Sequence, residues 1–236
     1  MKPKYKRILL KLSGEGLMGD RAFGMDEKVI KELAEQVKAV HDSGVEVCIV
    51  VGGGNIFRGA KEASKGLNRS VADQVGMLAT VMNALYLQNA LEKIGTDARV
   101  MSGISIPAVC ENYIYRRALR HLEKHRVIIF AGGTGNPYFT TDSGAALRAS
   151  EMGCDVLLKA TQVDGVYSDD PKKNTKAVRY ERIGYDEVIQ KSLKVMDLTA
   201  VALAKDNGIP IVVFAQKGKK SLIEAVAGKG KFTVID

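Results

Sequence analysis

The chain has 236 residues, 46% of them hydrophobic and 6% aromatic, with no tryptophan. That is enough for one substantial core, in one domain or two closely joined lobes. A formal net charge of +8 without any long Lys/Arg block points to small phosphorylated ligands and gives no reason to expect a specific nucleic acid partner.

The basic start KPKYKR leads into only three consecutive apolar residues, too few for a signal peptide or a membrane span, so a cytoplasmic protein is expected. Residues 5–12 read as a first buried strand ending in Lys11-Leu12-Ser13-Gly14. An isolated buried ammonium is costly, so Lys11 is expected to point out of the strand's C-terminal edge, toward ligand or solvent. Gly19-Asp20-Arg21-Ala22-Phe23-Gly24 is a polar loop. Asp26 then caps a helix with Val29, Ile30, Leu33, Val37 and Val40 at helical spacing. Residues 45–51 form a second strand that runs into Gly52-Gly53-Gly54-Asn55-Ile56-Phe57-Arg58. Glycines here let a ligand approach the backbone, and Arg58 offers a phosphate fork. A polar loop at 61–69 is suited to move over a site. Ser70 is expected to start a long helix, with Asp73 completing a capping box and Val75, Leu78, Ala79, Met82, Leu85 and Tyr86 as the buried stripe.

A strand at 98–102, a basic helix at 113–125 and a strand at 127–131 follow. Gly132-Gly133-Thr134-Gly135-Asn136-Pro137 then breaks the chain sharply, and the N-cap types Thr140, Thr141, Asp142 and Ser143 open a small-residue helix that closes at Gly153. Residues 155–160 form another strand, followed by turns through Thr161, Tyr167 and Asp170, where the Tyr167 ring offers a face on which a base could stack. Helices near 186–190, 197–206 and 221–227 alternate with strands at 209–214 and 232–235. Cys48, Cys110 and Cys154 are odd in number and widely spaced. Cys48 and Cys154, in or beside apolar runs, read as buried thiols of a reducing compartment, not as part of a disulfide or zinc framework. His41, His121 and His125 have no ligand spacing and receive no chemistry. The βαβα order predicts a mostly parallel sheet between helical layers, an α/β three-layer sandwich.

Three glycine turns, at 13–16, 52–54 and 132–135, each follow a buried strand, so a parallel sheet brings them to one edge with Lys11, Arg58 and Asp142. The 132–135 turn is neither a P-loop nor a dinucleotide fingerprint: no G-x-x-x-x-G-K-[ST] occurs, and Tyr138 stands where the third glycine of the fingerprint belongs. Backbone donors from several loops suit transfer of a phosphoryl group between two bound phosphates, which needs alignment and charge neutralisation above all.

The segments KRILLKLSGE, VVGGGNIFRG, DQVGMLATVMNA, AGGTGNPYFTTDS, LKATQVDGVYSDDP and KVMDL resemble, in order and over nearly the whole chain, the bacterial UMP kinases of the amino-acid-kinase superfamily. The resemblance implies a single domain over 1–236, with a UMP-binding and oligomerisation lobe at 1–150 and an ATP-binding lobe at 151–236. It implies transfer of the ATP γ-phosphoryl to UMP with Mg²⁺, usually by a homohexamer. Carried over by residue, it places ATP on Lys11, Leu12, Ser13, Gly14, Gly54, Arg58, Thr161, Tyr167 and Asp170. UMP falls on Gly53, on Asp73, and on Thr134, Gly135, Asn136, Pro137, Tyr138, Phe139, Thr140 and Thr141. Lys11 and Asp142 would be catalytic, with no metal assigned to a side chain. The loop Gly19–Gly24 matches in position a segment linked to activation by GTP, and inhibition by UTP is a companion expectation. A carbamate or amino-acid kinase of the same superfamily, and a non-catalytic nucleotide sensor, are the competing readings.

Overall fold

A computed structural model describes residues 2–58, 66–171, 173–193, 195–218 and 220–236; the loop expected to move over the site, 61–69, lies outside the described residues as far as 65. In chain order the elements are β1 (Arg7–Leu12), α1 (Glu27–His41), β2 (Glu46–Val51), α2 (Arg69–Lys93), β3 (Ala98–Ser102), β4 (Glu111–Asn112), α3 (Tyr115–Glu123), β5 (Val127–Ala131) and α4 (Thr141–Met152). They continue with β6 (Val156–Thr161), β7 (Arg182–Ile183), α5 (Tyr185–Gln190), α6 (Leu198–Asp206), β8 (Ile211–Ala215), α7 (Ser221–Val226) and β9 (Phe232–Ile235).

The strands form one sheet in the order β4-β3-β5-β2-β1-β6-β8-β9-β7. Pairing is parallel except between β8 and β9. Apolar runs buried on both faces explain the central strands. Alternation then sorts their side chains: Ile8, Leu10 and Leu12 pack with α1, α2 and α7, whereas Leu9 lies in the core formed with α3, α4, α5 and α6. Cys48 and Cys154 are buried in that second core.

Helix α2 departs from expectation at its start and on its surface. Asn68 is the N-cap, accepting from the Ser70 and Val71 amides, so the capping box through Ser70 and Asp73 does not form. Its buried side carries Met77, Val81, Ala84, Leu87 and Leu91, while Leu78, Met82 and Tyr86 of the expected stripe are exposed. The helix is apolar on two sides, and the core took the other one.

The topology determines where a site can form. The chain adds β2, β3, β4 and β5 on one side of β1 and then crosses, through α4, to β6 on the other side. The carboxyl ends of β1 and β6 therefore flank a topological switch point, where open α/β sheets bind ligands.

Candidate active site

Lys11 and Lys159 are register partners on β1 and β6, at the switch point, and both project to the α4 side of the sheet. Asp142, in the first turn of α4, meets both: Lys11 Nζ lies 2.7 Å from Oδ1, and Lys159 Nζ donates to Oδ2 at 2.5 Å. All three side chains are largely buried. Lys11 therefore does not snorkel to solvent: it turns inward onto a carboxylate. Burial disfavours the Asp142 anion, but Lys11 and then Lys159 outweigh that and hold its pKa below the usual carboxylate range. Burial pushes the Lys159 ammonium below the ordinary lysine range, and Asp142 restores only part of the loss. Two ammoniums face one carboxylate, so the triad carries a net positive charge at the positive end of a helix dipole. That arrangement attracts an anion.

The three glycine turns meet here. A Cβ on Gly14 would lie 2.6 Å from the Gly54 amide nitrogen, and one on Gly52 would lie 3.0 Å from the Gly14 nitrogen and 3.5 Å from Thr141 Oγ1. Gly132, Gly133 and Gly135 have φ of 72°, 55° and 84°, the left-handed region that favours glycine. Polar side chains of α2 brace the turns from beneath. Thr80 Oγ1 accepts from the Gly132 amide at 2.7 Å, and Asn83 Nδ2 donates to the Gly52 carbonyl at 2.6 Å. Asn55 and Asn83 exchange amide hydrogen bonds, and Asn55 also donates to the Gly24 carbonyl, docking the Gly19–Gly24 loop behind the triple glycine.

Two of the cavities on this edge take in residues expected on ATP and UMP. The larger, about 740 Å³, is lined by Lys11, Ser13 and Lys159 and by Thr161, Tyr167 and Asp170 of the turn after β6. Ser13 also caps the short 3₁₀ turn Gly14–Leu17, accepting from the Gly16 amide. Tyr167 donates to Asp164 Oδ1 at 2.6 Å, and that bond raises its pKa. The Thr161 hydroxyl is occupied by its own turn, donating to the Val163 carbonyl.

The smaller cavity, about 220 Å³, is lined by Gly53, Gly54, Asp73 and Thr134 and by Asn136, Phe139, Thr140 and Thr141. Gly54, expected on the ATP side, therefore sits in this second cavity. Gly135, Pro137 and Tyr138 are outside its lining; the Tyr138 ring is exposed, with the Arg69 guanidinium 5.7 Å from its centre. Asp73 is no helix cap. Arg69 Nε donates to both its oxygens at 3.0 and 2.8 Å, and the Tyr138 amide donates to Oδ2 at 2.8 Å, tying α2 to the 134–141 loop.

Three other expected residues, Leu12, Gly14 and Arg58, lie off both cavities. The Leu12 side chain belongs to the opposite core, leaving only its backbone at the edge. Arg58 pairs at 2.6 Å with Glu15, both about half exposed. Lys159 escaped the sequence reading, although the rule applied to Lys11, a lysine near the end of a buried strand, fits it equally well.

Among the described residues no group of three or more His, Cys, Asp or Glu could hold a metal ion. Asp142 has both oxygens against ammoniums.

The sequence profile of the amino acid kinase family matches residues 6–215. The chain belongs to the amino acid kinase family. Within it, the chain is 60% identical to the uridylate kinase of Paramagnetospirillum magneticum over 232 residues, 98% of this chain and 97% of that protein. It is 58% identical to the uridylate kinase of Rickettsia bellii, covering 99% and 98%. Its fold superposes on the UMP kinase of Bacillus anthracis with a TM-score of 0.94 at 39% identity, over 98% of this chain and 96% of that one. The uridylate kinase of Archaeoglobus fulgidus is more distant, with a TM-score of 0.75 at 29% identity, over 97% and 99% of the two chains. No helix among the described residues is long and apolar enough to cross a membrane.

Proposed function

We propose that the chain is an ATP-dependent UMP kinase, moving the γ-phosphoryl of ATP to UMP to give UDP and ADP. The observation that carries this reading is the buried Lys11–Asp142–Lys159 triad, whose two lysines line the larger cavity and whose Asp142 directly follows Thr140 and Thr141 of the smaller one. In this reading ATP occupies the larger cavity, its base against Tyr167 and its phosphates over Lys11, Ser13 and Gly14. UMP occupies the smaller one, its ribose hydroxyls on Asp73 and its phosphate among Gly53, Gly54 and the 134–141 loop. The N-terminal 1–150 segment then supplies most of the acceptor side and 151–236 most of the donor side.

Phosphoryl transfer here needs no base, because the acceptor phosphate is already anionic near neutral pH. Asp142, held ionised below the usual carboxylate range, is a poor proton acceptor and serves to orient the two lysines. Lys11 and Lys159 neutralise charge on the transferring group, aided by backbone amides of the glycine turns. Mg²⁺ bound with ATP would supply further charge neutralisation beside Lys11 and Lys159.

The exposed stripe Leu78, Met82 and Tyr86 supports self-association, and a homohexamer in the cytoplasm is the assembly proposed. The Gly19–Gly24 loop, tied to the triple glycine through Asn55, supports modulation by GTP, with UTP as inhibitor.

A coupled assay for ADP release with UMP, CMP and carbamate as acceptors tests the proposal. Turnover with UMP at least tenfold above the others supports it; preference for carbamate, or ATP binding without turnover, would replace it with one of the competing readings.

A further inference from the structure

The KVMDL segment has no place in the chemistry above, yet Asp197 within it joins two helices. As N-cap of α6 it accepts from the Ala200 amide at 2.8 Å. It also takes the Thr140 hydroxyl on Oδ2, and the Ser143 hydroxyl at 3.1 Å from each oxygen. Thr140 is in turn the N-cap of α4, accepting from the amides of Asp142 at 3.0 Å and Ser143 at 3.3 Å. A hydroxyl has one proton and two lone pairs. With both lone pairs facing those amides, the Thr140 proton needs an acceptor, and Asp197 provides it. Just upstream, Leu193 and Val195 line the larger cavity, and Thr140 lines the smaller.

We propose that Asp197 is a positioning residue for phosphoryl transfer: through Thr140 it fixes the first turn of α4, and so the Asp142 carboxylate between Lys11 and Lys159. The inference rests on the kinase reading. One carboxylate thereby ties the donor-cavity wall to the helix start that presents Asp142. A shift of about 1 Å at such a point costs on the order of 10²-fold in rate.

The test is a double-mutant cycle of Asp197→Ala and Thr140→Val, with kcat for ADP release, Kd of ATP and of UMP by calorimetry, and thermal melts. Asp197→Ala lowers kcat roughly 30- to 100-fold, while ATP affinity changes by less than about threefold. The double variant loses no more kcat than the worse single variant, because both break the same link. Asp197→Asn, which keeps one acceptor oxygen, falls between wild type and Asp197→Ala. If Asp197→Ala does not fold, Asp197→Asn and Thr140→Val carry the test, each with reduced kcat and retained ATP affinity. A folded Asp197→Ala with wild-type kcat, or kcat losses that multiply in the double variant, overturns the assignment. Absence of UMP turnover in the wild type would instead remove the kinase reading itself.

Discussion

Helix α4 carries a buried ionic group toward each end, and the two are built differently. At its start Asp142 serves two ammoniums, and the surplus positive charge borders a cavity of about 740 Å³. In its second half Arg148 pairs with Glu151 and stacks 3.7 Å above the Tyr113 ring, while Tyr113 donates to Glu151 Oε2 at 2.8 Å. Burial, and then the bond to Glu151, pushes the Tyr113 hydroxyl pKa far above its ordinary value. Every charge in that second group has a partner within it. A buried charge therefore does not mark a site; an unbalanced one beside a cavity does.

The comparison breaks most directly at Lys11. Lys11→Ala should lower kcat by about 10³-fold, the upper range for losing one donor aimed at developing charge. UMP affinity measured by calorimetry should change only a few-fold. Near-normal turnover would mean that the surplus charge has no catalytic use.

Asp142→Asn probes the carboxylate shared by the two lysines. It should lower kcat by roughly 10²-fold and cost about 3–5 kcal/mol of stability, since two buried ammoniums lose their counter-ion. The pH dependence has a definite sign. The folded-state pKa of Asp142 is depressed, so its stabilisation is complete above the unfolded value and fades only as pH falls through the lower folded one. The stability gap between wild type and variant in urea titrations should persist down to about pH 4 and close below it. A gap that closes near neutrality would contradict the ion-pair account.

Lys159 separates activity from stability. Its folded pKa is lowered, so it loses its proton before an ordinary lysine does. Between the folded and unfolded values the unfolded chain binds more protons, and stability from this group rises with pH. Activity moves the other way, because a neutral amine no longer balances phosphate charge. The alkaline limb of kcat/KM, which reports the free enzyme, should therefore lie below the ordinary lysine range, and Lys159→Arg should move it upward. Lys159→Met should lose about 10- to 100-fold in kcat. An alkaline limb unchanged in Lys159→Arg would assign it to another group.

Much of this arrangement was legible in the chain itself. The strands at 98–102 and 127–131 coincide with β3 and β5, and the three glycine turns meet as their positions after buried strands required. What escaped was information that is not local. The two-residue strands β4 and β7 are too short for any periodicity to register. Helix α2 offers two apolar stripes, and the inner one includes Thr80 and Asn83, whose polarity disguises it until the backbone groups they bond, Gly132 and Gly52, are known. Asp73 fits a capping box by spacing, but a partner 65 residues away, the Tyr138 amide, helps hold it in place. Asp142 was singled out, whereas Lys159 looked like one more residue of a strand until its register against Lys11 became visible.

The smallest effect on turnover belongs to the closed group, and it is the control that gives the others meaning. Arg148→Met keeps an unbranched side chain of similar length against Tyr113 and Phe130 but removes the partner of Glu151. Glu151 is about one-third exposed, so water takes over part of the pairing and the expected loss is about 1–3 kcal/mol in denaturant unfolding. Turnover per folded molecule should stay within about twofold of wild type, because this group touches neither cavity lining. Arg148→Met combined with Glu151→Gln should recover part of the stability, since the stranded carboxylate is then neutral. A tenfold fall in kcat for folded Arg148→Met would mean that α4 transmits disturbance along its length. The two ends of the helix would then be one device, not two.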